Sequence, residues 1–122
     1  MSTTYAILLP GDEDHWAAAG PQERARVYAE HDRFSKTLAE RGHTVVGGAE
    51  LTHSRGARTV RRGSDGSLAV TDGPYAEAVQ QLTGFYLVQS DDLDDLVDVC
   101  GILAATGDTV EVRAVVQQEG GQ

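Results

Sequence analysis

The sequence predicts an α+β domain, and three observations carry that reading. Two long stretches place apolar residues at helical spacing, short apolar runs end at Gly, Pro or Asp, and the two kinds of segment alternate along 122 residues. A chain of this length suits one domain over residues 1–122, with a core that needs no metal or disulfide.

Tyr5-Ala6-Ile7-Leu8-Leu9 is an apolar run stopped by Pro10-Gly11, the pattern of a buried strand. Asp12 to Gly20 reads as a loop with room for one helical turn around Trp16. Pro21 opens a helix at its first position, and Gly42 supplies a left-handed stop after Arg41. Val27, His31, Phe34 and Leu38 form its inward stripe. A second strand spans His43 to Leu51, where Gly47-Gly48 marks a bulge or a close backbone approach. A hairpin follows, with arms Ala57–Arg62 and Ser67–Thr71 and a two-residue Asp65-Gly66 turn of positive φ.

Pro74 to about Leu82 reads as a tight turn with room for a short helix, and Phe85 to Gln89 as a strand entered through Gly84. The second long helix starts near Ser90 or Asp91, either able to cap it, with Asp92, Asp94 and Asp95 in its first turn. Its expected stripe is Leu93, Leu96, Val97, Cys100, Leu103 and Ala104, and Gly107 stops it. Thr109 to Val116 forms the last strand, and about 117–122 is a frayed tail.

Without the hairpin the order is βαββαβ, the ferredoxin-like arrangement. Both helices then cover one face of an antiparallel sheet. Ile7-Leu8-Leu9 and Phe85-Tyr86-Leu87-Val88 are apolar on both sides, so the other face needs a cover as well. A second copy of the chain, packed as a two-fold homodimer through the sheet face, is the economical solution.

Composition excludes several classes of function. A formal charge of −9, from 19 acidic and 10 basic residues, argues against nucleic-acid binding. The one dense basic stretch, Arg55, Arg58, Arg61 and Arg62, divides between two faces of a strand and reads as a solvated ribbon. No apolar run approaches the ~20 residues of a membrane helix, and no secretory signal core opens the chain. The single Cys100 leaves no internal disulfide and falls on an apolar stripe, which predicts a cytoplasmic location and a buried, inert thiol. His15, His43 and His53 lack metal-ligand spacing, so no metal is expected; nor does any phosphate-binding glycine loop or nucleophile elbow call for a cofactor.

His31 is the most informative residue, because an imidazole on an inward stripe must find a partner. A backbone carbonyl would make it a structural core histidine. The catalytic alternative comes from Thr71-Asp72-Gly73-Pro74-Tyr75, which follows a strand directly. Asp-Gly-Pro is ordinary turn chemistry, yet a carboxylate fixed at a strand end could orient a helix-borne histidine for general acid/base work. Ser35 stands one helical turn beyond His31.

Thr71-Asp72-Gly73-Pro74-Tyr75-Ala76-Glu77, Gln81-Leu82 and Gly84-Phe85-Tyr86-Leu87 together resemble the DGPF branch of the YciI-like (YCII-related) family. The likeness takes in Leu8-Leu9…Gly11-Asp12-Glu13, Glu30-His31 and Phe34, Gly47-Gly48…Leu51, and Val110-Glu111-Val112-Arg113. Tyr75 stands where the family has Phe, Val79-Gln80 where it has Lys-Glu, and Thr83 where it has Gly. The resemblance implies a ferredoxin-like fold of the dimeric α/β barrel type and a histidine–aspartate pair that maps onto His31 and Asp72. One similar enzyme removes chloride from a chlorinated hydroxyhydroquinone. The expectation is therefore a small-molecule enzyme of lyase- or hydrolase-like chemistry without a cofactor. His31 is its acid/base, Asp72 orients it, and Ser35 and Tyr75 line the substrate pocket. The alternative is a noncatalytic dimeric module that binds an effector or a partner.

Overall fold

The computed structural model describes residues 2–117, so most of the expected tail lies outside the described residues. Its elements are β1 (Thr3–Asp12), α1 (Glu13–Ala18), α2 (Pro21–Glu40), β2 (Thr44–Glu50), β3 (Arg58–Arg62), β4 (Leu68–Asp72), β5 (Gln80–Ser90), α3 (Leu93–Ala104) and β6 (Glu111–Ala114). Four strands form one antiparallel sheet in the order β2-β5-β1-β6, while β3 and β4 make a separate two-stranded sheet. Removing that hairpin and the short α1 leaves the expected ferredoxin-like α+β arrangement.

The core lies between the sheet and the two long helices. Ile7 of β1 and Val88 of β5 meet Phe34 and Leu38 of α2 and Leu96, Val99, Cys100 and Leu103 of α3, all buried. Pairing partners share a sheet face, so Ile7 brings its partners Tyr86 and Val112 to this side. Ala6, Leu8, Phe85 and Leu87 alternate with them, stand on the opposite face and lie outside this core.

Helix α2 ends as expected. Gly42 has φ +86°, its N–H bonds to Ala39 O at 3.2 Å, and His43 N–H bonds to Leu38 O at 2.9 Å, which is the Schellman pattern. That turn drives His43 inward, where it is buried. Its Nδ1 meets Ser90 Oγ at 2.8 Å and its Nε2 meets Asp95 Oδ2 at 2.7 Å. Asp95 also pairs with Arg41, and Arg41 with Asp98 at 3.2 Å, so one polar network pins the end of α2 to the start of α3. The His43 hydrogen bond, then that of Arg41, holds the Asp95 carboxyl below the usual range.

Several local expectations are corrected. The cap of α3 is Asp92, whose side chain accepts from Asp95 N–H, while Ser90 Oγ accepts from Asp92 N–H at 3.0 Å. The buried stripe of α3 is Leu96, Val99, Cys100 and Leu103; Leu93 and Val97 are exposed, because the inward face is centred about one residue further round the helix. The segment after Pro74 forms no helix, and β5 begins at Gln80, since this stretch pairs with Gly11 and Asp12 at the end of β1. The hairpin connection is longer than two residues: the last strand pair is Arg62–Leu68, and Gly63 N–H closes on Ser67 O at 2.7 Å. Only Gly66 there has positive φ. The last strand is shorter than expected, although Val110 and Val112 still pack on the core.

Gly47-Gly48 is the expected irregularity. The β2–β5 register shifts between Val45 and Gly47, and Gly48 sits at φ +146°. A Cβ there would lie 2.6 Å from Phe85 O.

Candidate functional site

A cavity of about 740 Å³ opens between the N-terminal half of α2, α1 and the ends of β1, β2 and β5. Helix α1 is fixed over it by three sets of contacts. Asp12 accepts from His15 N–H at 3.1 Å and caps the helix. Buried Glu13 accepts from Ser54 N–H at 2.9 Å and from the Ser54 hydroxyl, tying the 3-10 turn at Ser54–Gly56 to α1. His53, beside that turn, adds a 2.7 Å contact from Nε2 to Asp14.

His31 reaches the cavity from α2 and is half-buried. Its partner is neither a backbone carbonyl nor Asp72: Nδ1 lies 2.7 Å from the Tyr86 hydroxyl. The two rings stack at a centroid distance of 5.9 Å, and Phe34 packs on Tyr86 from the core at 5.2 Å. Among the described residues, His31 Nε2 has no hydrogen-bond partner, and no buried side-chain nitrogen or oxygen is left unsatisfied. Nε2 is therefore the ring atom that stays open to a ligand.

Burial lowers the pKa of His31 from its ordinary value of 6.5, and the fields of Asp108 and Glu50 oppose that shift. The imidazole is held in its neutral form near pH 7, which is the form a general base requires. Burial likewise raises the pKa of the Tyr86 hydroxyl, opposed in part by the nearby Ser35 side chain. Tyr86 is thus a neutral phenol beside His31.

The other expected residues lie elsewhere. Ser35 does not line the main cavity; it borders a second cavity beside His43. Asp72 is the last residue of β4, mostly exposed, and paired with Arg58 Nε at 3.0 Å. Gly73 closes the base of the hairpin through its N–H to Ala57 O at 2.7 Å. No hydrogen bond joins Asp72 to His31 among the described residues, and Asp72 does not line the cavity. Tyr75 is 77 % exposed, with the Arg61 guanidinium 4.8 Å above its ring.

Several lining residues were not anticipated. Trp16 and Tyr28 pack edge to face at 5.6 Å. Tyr28 donates to both Glu50 carboxylate oxygens at 3.1 and 3.2 Å, which raises the pKa of its hydroxyl. His15 Nε2 meets Glu23 at 2.9 Å. Period-two alternation already sets Tyr86 on the face of Val88, so its hydroxyl could have been sought among the partners of His31. Among the described residues, no three His, Cys, Asp or Glu side chains gather in a group able to hold a metal, and no helix is long and apolar enough to cross a membrane.

Comparison with known proteins identifies the family. A family model described as the YCII-related domain matches residues 3–118. An uncharacterised protein of Rhizobium meliloti (strain 1021) is 33% identical over 122 residues, covering 97% of this chain and 96% of that one. With the α+β fold and a match that runs almost end to end, the chain belongs to the YCII-related family.

Proposed function

We propose that the cavity beside α2 binds a small organic molecule and that His31 is its general acid/base. The observation that carries this reading is one imidazole with its two nitrogens in different settings. Nδ1 is held by Tyr86, and Nε2 is free beside a cavity of about 740 Å³, a size that fits small-molecule sites. With Nδ1–H donated to the Tyr86 oxygen, Nε2 carries the lone pair and takes a proton from the ligand. The fields of Glu50 and Asp108 favour the imidazolium that results. Returning that proton to a departing group completes lyase- or hydrolase-like chemistry, and none of these steps calls on a cofactor.

Within one chain the orienting role expected of Asp72 passes to Tyr86. An Asp72 carboxylate acting on His31 would have to come from a second copy. The same reading includes a two-fold dimer through the sheet face of Leu8, Phe85 and Leu87, and a cytoplasmic home, in keeping with the single unpaired Cys100.

The test is to incubate the wild-type protein and His31→Gln with a fractionated metabolite extract and follow both by mass spectrometry. Consumption of one species by the wild type, with retained binding but no turnover in the variant, is the expected result. Equal binding by both proteins with no conversion would make the cavity an effector site instead.

A further inference from the structure

The cavity has a pronounced charge bias. Asp12, Glu23, Glu50 and Asp108 all contribute to its wall, and no lysine or arginine among the described residues does. The Arg24 guanidinium beside Trp16 is committed elsewhere. Arg24 lies 5.1 Å from the Trp16 ring centroid, but it donates at 3.1 Å to the carbonyls of Ala19, Trp16 and Ala17 at the end of α1. It is spent on capping that helix.

Two of these carboxylates act on the histidine of the cavity. Asp108 and Glu50 are the two charges felt at the His31 ring, from opposite chain segments. Glu50 accepts the Tyr28 hydroxyl, and burial keeps His31 itself from adding a compensating positive charge. Trp16, Tyr28, Tyr86, Leu9 and Val27 give the wall its aromatic and apolar part, and its remaining polar side chains, such as Gln80, Thr83 and Thr109, are neutral. Aromatic faces with carboxylates nearby are the surroundings that stabilise an organic cation. A carboxylate or phosphate ligand would meet repulsion and no fork-shaped donor.

We propose that the cavity selects a small organic cation, a protonated amine on an aromatic or short aliphatic body, over anions of the same size. This rests on the reading of the cavity as a ligand site. The ammonium group lies toward Glu50 and Asp108, its body lies against Trp16 and Tyr28, and His31 Nε2 faces the atoms beside the nitrogen.

The experiment uses three probes of equal shape, benzylamine, benzyl alcohol and benzoate, on the full chain at low salt. It follows the Trp16 indole and His31 ring signals by NMR and affinity by calorimetry. Benzylamine should bind about tenfold tighter than benzyl alcohol, and benzoate weakest of the three. Added salt should shrink the preference, as should the double variant Glu50→Gln/Asp108→Asn. Equal or tighter binding of the alcohol or the benzoate, with Trp16 and His31 signals moving, would overturn the cation selectivity and leave the ligand site standing. If no probe at millimolar concentration moves either signal, the ligand site falls as well. If the double variant fails to fold, the salt dependence of the wild type decides the matter alone.

Discussion

The Tyr86 hydroxyl lies 2.7 Å from His31 Nδ1, and this one contact joins the middle of α2 to the central strand pair of the sheet. Tyr86 is itself fixed by its pairing with Ile7 and Gly48 and by the Phe34 ring. An imidazole anchored to a central strand keeps its orientation when loops around the cavity move. That makes Tyr86 a positioning residue for His31.

Tyr86→Phe should therefore disturb His31 more than any change in the hairpin. Loss of the hydroxyl leaves a half-buried Nδ1 without its partner, at a cost of about 1–2 kcal/mol in folding stability. It should also change the tautomer balance of His31, visible in the nitrogen chemical shifts of the ring. Asp72→Asn should leave both the stability and the His31 titration nearly unchanged, because the exposed Asp72–Arg58 pair is worth ~1 kcal/mol or less. A displaced His31 titration in Asp72→Asn would indicate that a second copy brings its hairpin to the cavity.

The pH dependence of stability has a definite sign. His31 has a lower pKa folded than its ordinary 6.5, so on acidification the unfolded chain takes up the proton first. The neutral ring's contribution is complete above 6.5 and is lost as pH falls below that value toward the folded pKa. Urea midpoints measured from pH 8 to 5 should fall more steeply for the wild type than for His31→Gln. Parallel curves would mean that the ring titrates normally in the fold.

How far the sequence could be read depends on whether a feature is local. Pro21 and Gly42 bracket α2 because helix starts and stops are written within a few residues, and the alternating order of elements is enough for the ferredoxin-like arrangement. Tyr86 reads as one more apolar member of 85–88; alternation sets it on the face of Val88, but its meeting with His31 also depends on the register that sets it opposite Ile7, 79 positions away in sequence. The cavity's carboxylates come from Asp12, Glu23, Glu50 and Asp108, on four separate segments with no common spacing. Asp72 invited pairing with His31 by motif, but its position depends on where a separate hairpin sits, which local chemistry does not specify. The carboxylate-paired buried histidine is His43, and its partner Asp95 looked like ordinary first-turn charge.

Two glycines give opposite outcomes. Gly48→Ala forces a side chain onto φ +146° and to 2.6 Å from Phe85 O, where backbone strain alone costs about 1–3 kcal/mol. Because Gly48 also lines the cavity, ligand binding should weaken with stability. Gly101→Ala places a methyl in open space on α3 and should stabilise by about 0.5–1 kcal/mol. Thermal melts of the two variants check both signs together.

The sheet face that carries Leu8, Phe85 and Leu87 should form the dimer contact. Light scattering at tens of micromolar should return twice the chain mass. Leu87→Lys should convert it to a monomer with an unchanged helical spectrum, because Leu87 lies outside the helix-side core. A Leu87→Lys protein that still dimerises would place the contact on another surface, with the exposed apolar Val60, Leu68 and Val70 of the hairpin as the next candidates.

Cys100 reports on the core itself. It lies between Val99 and Leu103 on the buried face of α3, and burial pushes its thiol up to about 11. Only the thiolate attacks a disulfide reagent, so at pH 8 about one molecule in a thousand carries the reactive form even before access is considered. Access requires α3 to lift from the sheet, since Cys100 belongs to the same buried cluster as Leu96 and Leu103 and Phe34 and Leu38 of α2. Labelling by a disulfide reagent should therefore take hours in native buffer, accelerate steeply as urea approaches the unfolding midpoint, and follow the global unfolding free energy. The Leu96→Ala variant, expected to lose about 2–5 kcal/mol by opening a cavity beside Cys100, should label correspondingly faster at the same urea concentration. Stoichiometric labelling of the wild type within minutes in native buffer would mean that α3 opens locally without unfolding the sheet, and that its stripe does not seal the core.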